Sequence, residues 1–326
     1  MTDIYVNADA SAPNDGTSEG DGWLTLQAAF TDITGKGAGP HTIYWKKAAA
    51  DYDELATIAT AGAAGAEVQV VGYETTITDN VQVTIDGGGL LRGITSTPSG
   101  PLYYAFRNII ITASSGSGFD LVTEDNCSFI NCESHTNGIS GFICNDRHAF
   151  LQCEAYSNSE DGFNLDDEVS VHSCKSYANT DDQFTMSGAA CIINTLIYGI
   201  EGAGDIGIRL GGLNLYTVAN CTIDGEGSSA TNFGIGLSTS NNVMGMFVNN
   251  IIYDCGTGVN FTTDGGRLAT VGYNLMNTFG TADYTNVTEI PGSDQTGAPD
   301  FELEGSDDYR VKNTSPAVNN ASDAGT

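Results

Sequence analysis

An internal repeat of 21 residues runs from Ser128 to Gly188, and few folds are compatible with it. Phe129-Ile130-Asn131-Cys132-Glu133-Ser134-His135-Thr136-Asn137 aligns without a gap on Phe150-Leu151-Gln152-Cys153-Glu154-Ala155-Tyr156-Ser157-Asn158. Both align on Val171-His172-Ser173-Cys174-Lys175-Ser176-Tyr177-Ala178-Asn179, and the register continues through Phe142, Phe163 and Phe184. A unit this short encloses no core alone, so each copy must bury its apolar face against the next. Short alternating runs bounded by Asn, Gly, Ser and Asp make each copy a set of strands and turns. The expected fold is all-β: a single-stranded, right-handed parallel β-helix.

Coils stacked at a fixed period place equivalent side chains about 4.8 Å apart along the axis. Four ladders follow: Cys132, Cys153 and Cys174; Phe142, Phe163 and Phe184; Asn137, Asn158 and Asn179; and Tyr156, Tyr177 and Tyr198. In the asparagine ladder each amide donates to the next carbonyl, which satisfies groups that would otherwise be buried unpaired.

Outside the repeat the chain divides into residues 1–41, a cap; residues 42–280, a body of about ten coils; and residues 281–326, a C-terminal cap. In the first cap, Ile4-Tyr5-Val6 reads as a strand and Trp23 to Phe30 as a short amphipathic helix. The alanine-rich stretch from Ala48 to Ala66 reads as a helical turn or a loop. Beyond Tyr198 the strand position recurs at Ile206, Phe233 and Thr257, with Gly225 to Asn232 as a projecting loop.

Forty-one acidic residues against eleven basic ones leave a net charge of −30, which repels phosphate backbones and anionic headgroups. Nucleic acid and membrane are therefore excluded as partners. Met1 to Asn7 lacks a basic segment followed by an apolar one, so no classical secretory signal is expected and the chain is made in the cytoplasm. The eight cysteines then read as small buried hydrophobes rather than disulfides. The histidines at 41, 135, 148 and 172 have no ligand spacing and read as turn or surface residues.

The cap segments Asn14-Asp15-Gly16-Thr17 and Leu26-Gln27-Ala28-Ala29, the coil motifs Asn131-Cys132 and Asp161-Gly162-Phe163, and the closing Ser315-Pro316-Ala317-Val318 resemble the pectate-lyase-like superfamily. That resemblance covers nearly the whole chain. It implies either polysaccharide lyases and hydrolases, or tailspikes and non-catalytic virion proteins. The resemblance to those lyases implies aspartates on successive coils that hold calcium and a basic residue that takes the proton α to a uronate carboxylate. Here the corresponding calcium candidates are Glu160, Asp161, Asp181 and Asp182, with Asp205 following; the alternative is a solvated acidic turn.

Candidate catalytic residues are Lys175 and Arg147 as bases, and Asp166 and Asp167, with Glu168 and Asp146, as hydrolytic carboxylates. Each has a structural reading beside it: Lys175 shares a column with Glu133 and Glu154, and Arg147 with Glu168. A groove for an anionic polysaccharide calls for Arg and Lys, and eleven basic residues are few. The expectation is a non-enzymatic phage virion protein, such as a capsid decoration, head spike or tailspike module. It would be placed on the virion or extracellularly after assembly, contacting itself as a homotrimer, other virion proteins and surface polysaccharide. The alternatives are a lyase or hydrolase of acidic or capsular polysaccharide, and a glycan-binding adhesin module.

Overall fold

The computed structural model describes residues 2–316 apart from residues 12–13, 38, 92, 99, 123, 201, 203, 212–213, 227–231, 238–243, 262–267, 278–281, 286–294, 304–307 and 313. The chain falls into two units, Met1–Ser170 and Val171–Thr326. Both are coils of short parallel strands, as in a β-solenoid. Among the described residues no helix is long and apolar enough to cross a membrane.

In the first unit three parallel sheets run along the stack. The first contains Thr2–Val6, His41–Lys46, Val68–Tyr73, Tyr104–Arg107, Ser128–Ile130 and Ala149–Leu151, paired in that order. The second pairs Val83–Asp86, Ile109–Thr112, Glu133–His135 and Glu154–Tyr156. The third pairs Leu55–Ile58, Gly93–Ser96, Phe119–Leu121, Phe142–Cys144 and Phe163–Leu165. The 21-residue repeat is thus the length of one coil, with Phe129 opposite Phe150 and Phe142 opposite Phe163.

One residue with positive φ ends three of the first-sheet strands of the first unit and turns the chain into the second sheet: Asn108, Asn131 and Gln152, at φ 59°, 52° and 56°. The second unit does the same at Ser173, Asn194, Asn220, Asn249 and Tyr273. Asparagine tolerates this left-handed conformation better than other residues with a Cβ, which is why it recurs there. The glycine before Phe142 has a different cause. A Cβ on Gly141 would stand 2.7 Å from the Gly162 carbonyl oxygen, so the coil spacing leaves room only for hydrogen.

Two aromatic columns fill the first unit. Phe119, Phe142 and Phe163 stack with centroids 4.9 and 4.8 Å apart, the column legible in the repeat. A second column, Phe106, Phe129 and Phe150, meets the first edge to face, with Phe129 and Phe142 at 76°. This alternation of stacked and perpendicular rings satisfies the aromatic quadrupoles in both directions. Asn137 donates through Nδ2 to Asn158 Oδ1 at 3.0 Å, as the ladder argument requires.

Several expectations are corrected. The N-terminal helix is Leu26–Lys36, starting later and ending later than the sequence suggested, because the Thr25 side chain accepts from Ala28 N and makes Thr25 the N-cap. Its strand Thr2–Val6 is the first strand of the first sheet. The alanine-rich stretch carries the strand Leu55–Ile58, which buries Ala56 and Ile58 on alternate positions. His41 and His148 are buried rather than at the surface; His148 Nδ1 accepts from Cys127 N at 3.3 Å. All eight cysteines are free, and all but Cys191 are buried.

The second unit keeps the three-sheet plan with longer coils. Ile206 lies opposite Phe233, and Phe233 opposite Thr257, so the loosened strand position is a true register. Of the expected loop, residues 227–231 lie outside the described residues, while Asn232 is buried and donates to Ile200 O at 2.7 Å. Near the C-terminus Phe301–Leu303 and Asp308–Val311 form an antiparallel pair. Tyr309 lies 5.3 Å from Tyr198, which is buried, so that end of the tyrosine column is covered. Ala317 and Val318 of the closing motif lie outside the described residues.

Candidate functional site

Strand pairing aligns the outward side chains of the first sheet into rows. In the first unit one row is Tyr44, Val71, Arg107 and Ile130, and the neighbouring row is Thr42, Gln69, Ala105 and Ser128. Because the second row is made of small and polar side chains, the face is a shallow trough. The turn residues Asn108, Asn131 and Gln152 form a wall along it, and Ile77, Thr78 and Asn80, from the loop that joins Val68–Tyr73 to Val83–Asp86, complete the lining. The resulting groove has a volume of about 730 Å³.

The turn wall is internally tied. Asn131 Nδ2 donates to Asn108 Oδ1 at 2.9 Å, and Asn108 Nδ2 donates to Gly72 O at 3.1 Å. Burial is the main cause raising the Tyr44 phenol above its ordinary value, with Asp3 and Tyr5 adding to it. Its hydroxyl therefore remains a neutral donor at physiological pH.

Arg107 is exposed at the end of its strand and lines the groove. Among the described residues it has no ion-pair partner, and none of the side chains lining the groove is a carboxylate. Elsewhere cations are engaged: Arg147 pairs with Asp125, Arg209 with Asp182 and Lys312 with Asp300. In a chain of net charge −30, a free guanidinium over a groove without carboxylates is a local reversal of sign.

The residues singled out from sequence lie elsewhere. Arg147 pairs chiefly with Asp125 and approaches Glu168 at 3.9 Å, so the structural pairing is present with a second, stronger partner. Asp146 Oδ1 accepts from Asp167 N at 3.1 Å. Burial, then the charges of Asp146 and Asp167, raises the Asp166 carboxyl. These three carboxylates do share a turn region, but none of them lines the groove. Lys175 is exposed on the strand Lys175–Tyr177 of the second unit.

The calcium candidates divide between the units. In the first, Glu160 is exposed and Asp161 is buried, accepting from Asn164 Nδ2 at 3.0 Å. In the second, Asp181 is exposed and Asp182 is buried. Asp182 Oδ1 accepts from Arg209 Nη2 at 2.9 Å and from Ile206 N at 2.8 Å, while Oδ2 takes Arg209 Nε and the Thr185 hydroxyl. Burial pushes the Asp182 carboxyl up against the pull of Arg209. Asp205 is also raised, first by burial and then by Asp181 and Asp182. Arg209 thus supplies Asp182 with positive charge, a partner the sequence reading did not name.

Arg107 and Tyr44 were also missed. A signal was available: Phe106-Arg107-Asn108 aligns on Phe129-Ile130-Asn131, so Arg107 occupies an outward position that the later copies fill with Ile130 and Leu151.

No protein-family model matches the sequence, and no curated protein matches it. Solved structures do match in fold. Pectate lyase Pel9A superposes with a TM-score of 0.70 at 15% identity, over 97% of this chain and 90% of its own. A rhamnogalacturonan lyase gives 0.61 at 12% identity, over 98% and 94%. A GH136 lacto-N-biosidase from Eubacterium ramulus gives 0.53 at 10%, over 90% and 68%. Together with the three parallel sheets, these likenesses show that the chain has the fold of the pectate-lyase-like parallel β-helices.

Proposed function

We infer that the protein is a non-enzymatic β-helical body that binds an acidic saccharide in the groove over its first sheet. The observation that carries this reading is Arg107: a guanidinium with no ion-pair partner among the described residues, in an open groove lined by Tyr44, Gln69, Thr78 and Asn80 and, among those residues, by no carboxylate. A planar fork of donors matches a uronate carboxylate, and neutral amides and hydroxyls match sugar hydroxyls. The named neighbours in fold, two of them a pectate lyase and a rhamnogalacturonan lyase by their names, support a saccharide as ligand.

Binding is favoured over cleavage by the chemistry of the lining. Hydrolysis of a glycosidic bond uses a pair of carboxyl groups across the sugar. The lining offers none. Proton abstraction needs a base, and a guanidinium offers five N–H donors and no acceptor. Arg107 is therefore a binding group.

The test is a panel of acidic and neutral oligosaccharides measured by calorimetry. Wild type is expected to prefer the acidic members, and Arg107→Ala to lose about tenfold or more in affinity, the worth of a charge-assisted hydrogen bond. Release of unsaturated product that depends on Arg107 would replace this reading with a lyase. The expected place of such a body on a phage particle is tested separately, by mass spectrometry of purified virions.

A further inference from the structure

Beside the turn residues, the groove is lined by a loop that the coil geometry does not require. It follows the strand Val68–Tyr73 and contributes Ile77, Thr78 and Asn80 to the lining, with Ile77 exposed. A loop this polar would ordinarily sample many conformations, and each would change the width of the groove. Here one carboxylate gathers it. Asp79 Oδ2 accepts from Thr75 N at 2.7 Å, Thr76 N at 3.0 Å, Glu74 N at 3.1 Å and the Thr75 hydroxyl at 3.2 Å. Asp79 Oδ1 accepts from Val81 N at 3.1 Å and Glu74 N at 3.3 Å. The far end is tied down separately: Gln82 Nε2 donates to Asn131 O at 3.1 Å, and Asn131 also lines the groove.

The geometry points to Asp79 as a positioning residue that fixes the width and shape of the groove, so that Ile77, Thr78 and Asn80 select among saccharides by fit while Arg107 supplies the attraction. This deepens the binding reading above and rests on it. The carboxylate accepts from the loop's own backbone and is not among the lining side chains, so it acts through the loop. Backbone amides held by an ionised acceptor also keep the carboxyl well below its ordinary range, the Thr76 amide first among them.

The experiment compares wild type, Asp79→Ala, Asp79→Asn, Ile77→Ala and Arg107→Ala. Each is measured for oligogalacturonate affinity, maltooligosaccharide affinity, amide hydrogen exchange and melting temperature. In Asp79→Ala the amides of Glu74, Thr75, Thr76 and Val81 are expected to lose protection, and oligogalacturonate affinity to fall about tenfold, with the melting temperature of the body unchanged. Asp79→Asn, which keeps one acceptor oxygen, should recover part of both. Ile77→Ala should weaken binding with protection intact. Arg107→Ala should lose binding with protection intact, which separates attraction from fit.

Full affinity in Asp79→Ala despite lost protection overturns the wall while leaving Arg107 as the binding group. Unchanged protection in Asp79→Ala overturns it as well. No saccharide binding by wild type overturns the groove reading, and the selecting wall falls with it.

Discussion

At the scale of single residues, polar side chains hold each coil to the next. Asn137 is buried; its Oδ1 accepts from Ser114 N at 3.1 Å and its Nδ2 donates to Asn158 Oδ1 and to the Ser134 hydroxyl, both at 3.0 Å. Asn137→Ala removes these bonds and leaves the Ser114 amide without its acceptor, so a loss of about 3 kcal/mol in urea unfolding is expected. A change under about 0.5 kcal/mol would show that the ladder is ornamental. The ladder was legible because the repeat aligns Asn137 with Asn158. The pairing of Arg147 with Asp125 was not, since Asp125 lies before the clear repeat and only coil stacking brings it near.

At the scale of elements, the N-terminal helix shows how a cap is fastened. Residues at the start of a helix leave backbone N–H groups without intrahelical partners. Glu54, a buried carboxylate from the next segment of the chain, accepts from Leu26 N at 2.8 Å and Gln27 N at 3.0 Å. Two charge-assisted bonds at a positive helix end are worth about 2 to 3 kcal/mol. Glu54→Ala should therefore lower stability by that order and release the amides of Leu26 and Gln27 to exchange; Glu54→Gln should retain part of both. The helix itself was readable from the amphipathic run before Phe30, but its anchor was not, because Glu54 sits in a stretch that looked like loop. The strand Leu55–Ile58 escaped for the same reason: alanine favours helices by itself, and only pairing with Gly93–Ser96 makes this segment extended.

At the scale of the whole molecule, charge links stability to pH. Burial raises the carboxyls of Glu54, Asp120, Asp166 and Asp205 above their ordinary values. A raised acid binds its proton more readily folded than unfolded, so folding takes up protons and stability grows as pH falls from neutral through the raised values. The gain is complete at the ordinary carboxylate range near 4. Relief of repulsion in a chain of −30 acts in the same direction. Below that range the lowered carboxyls of Asp79 and Asp300 reverse the trend, since their stabilisation is lost as they protonate. Urea midpoints from pH 7.5 to 3 should therefore pass through a maximum between about 4 and 5; a steady decline from neutrality would contradict it. The repeat alone determined the parallel coils, the aromatic and asparagine columns and the burial of Cys132, Cys153 and Cys174, because a fixed period leaves equivalent residues no other place to stand. Which side chains face a common groove was decided only by the tertiary structure. Arg107, Tyr44 and the Asp79 loop come from coils that share no motif, and their grouping depends on strand register and on how a non-repeating loop folds back over the sheet.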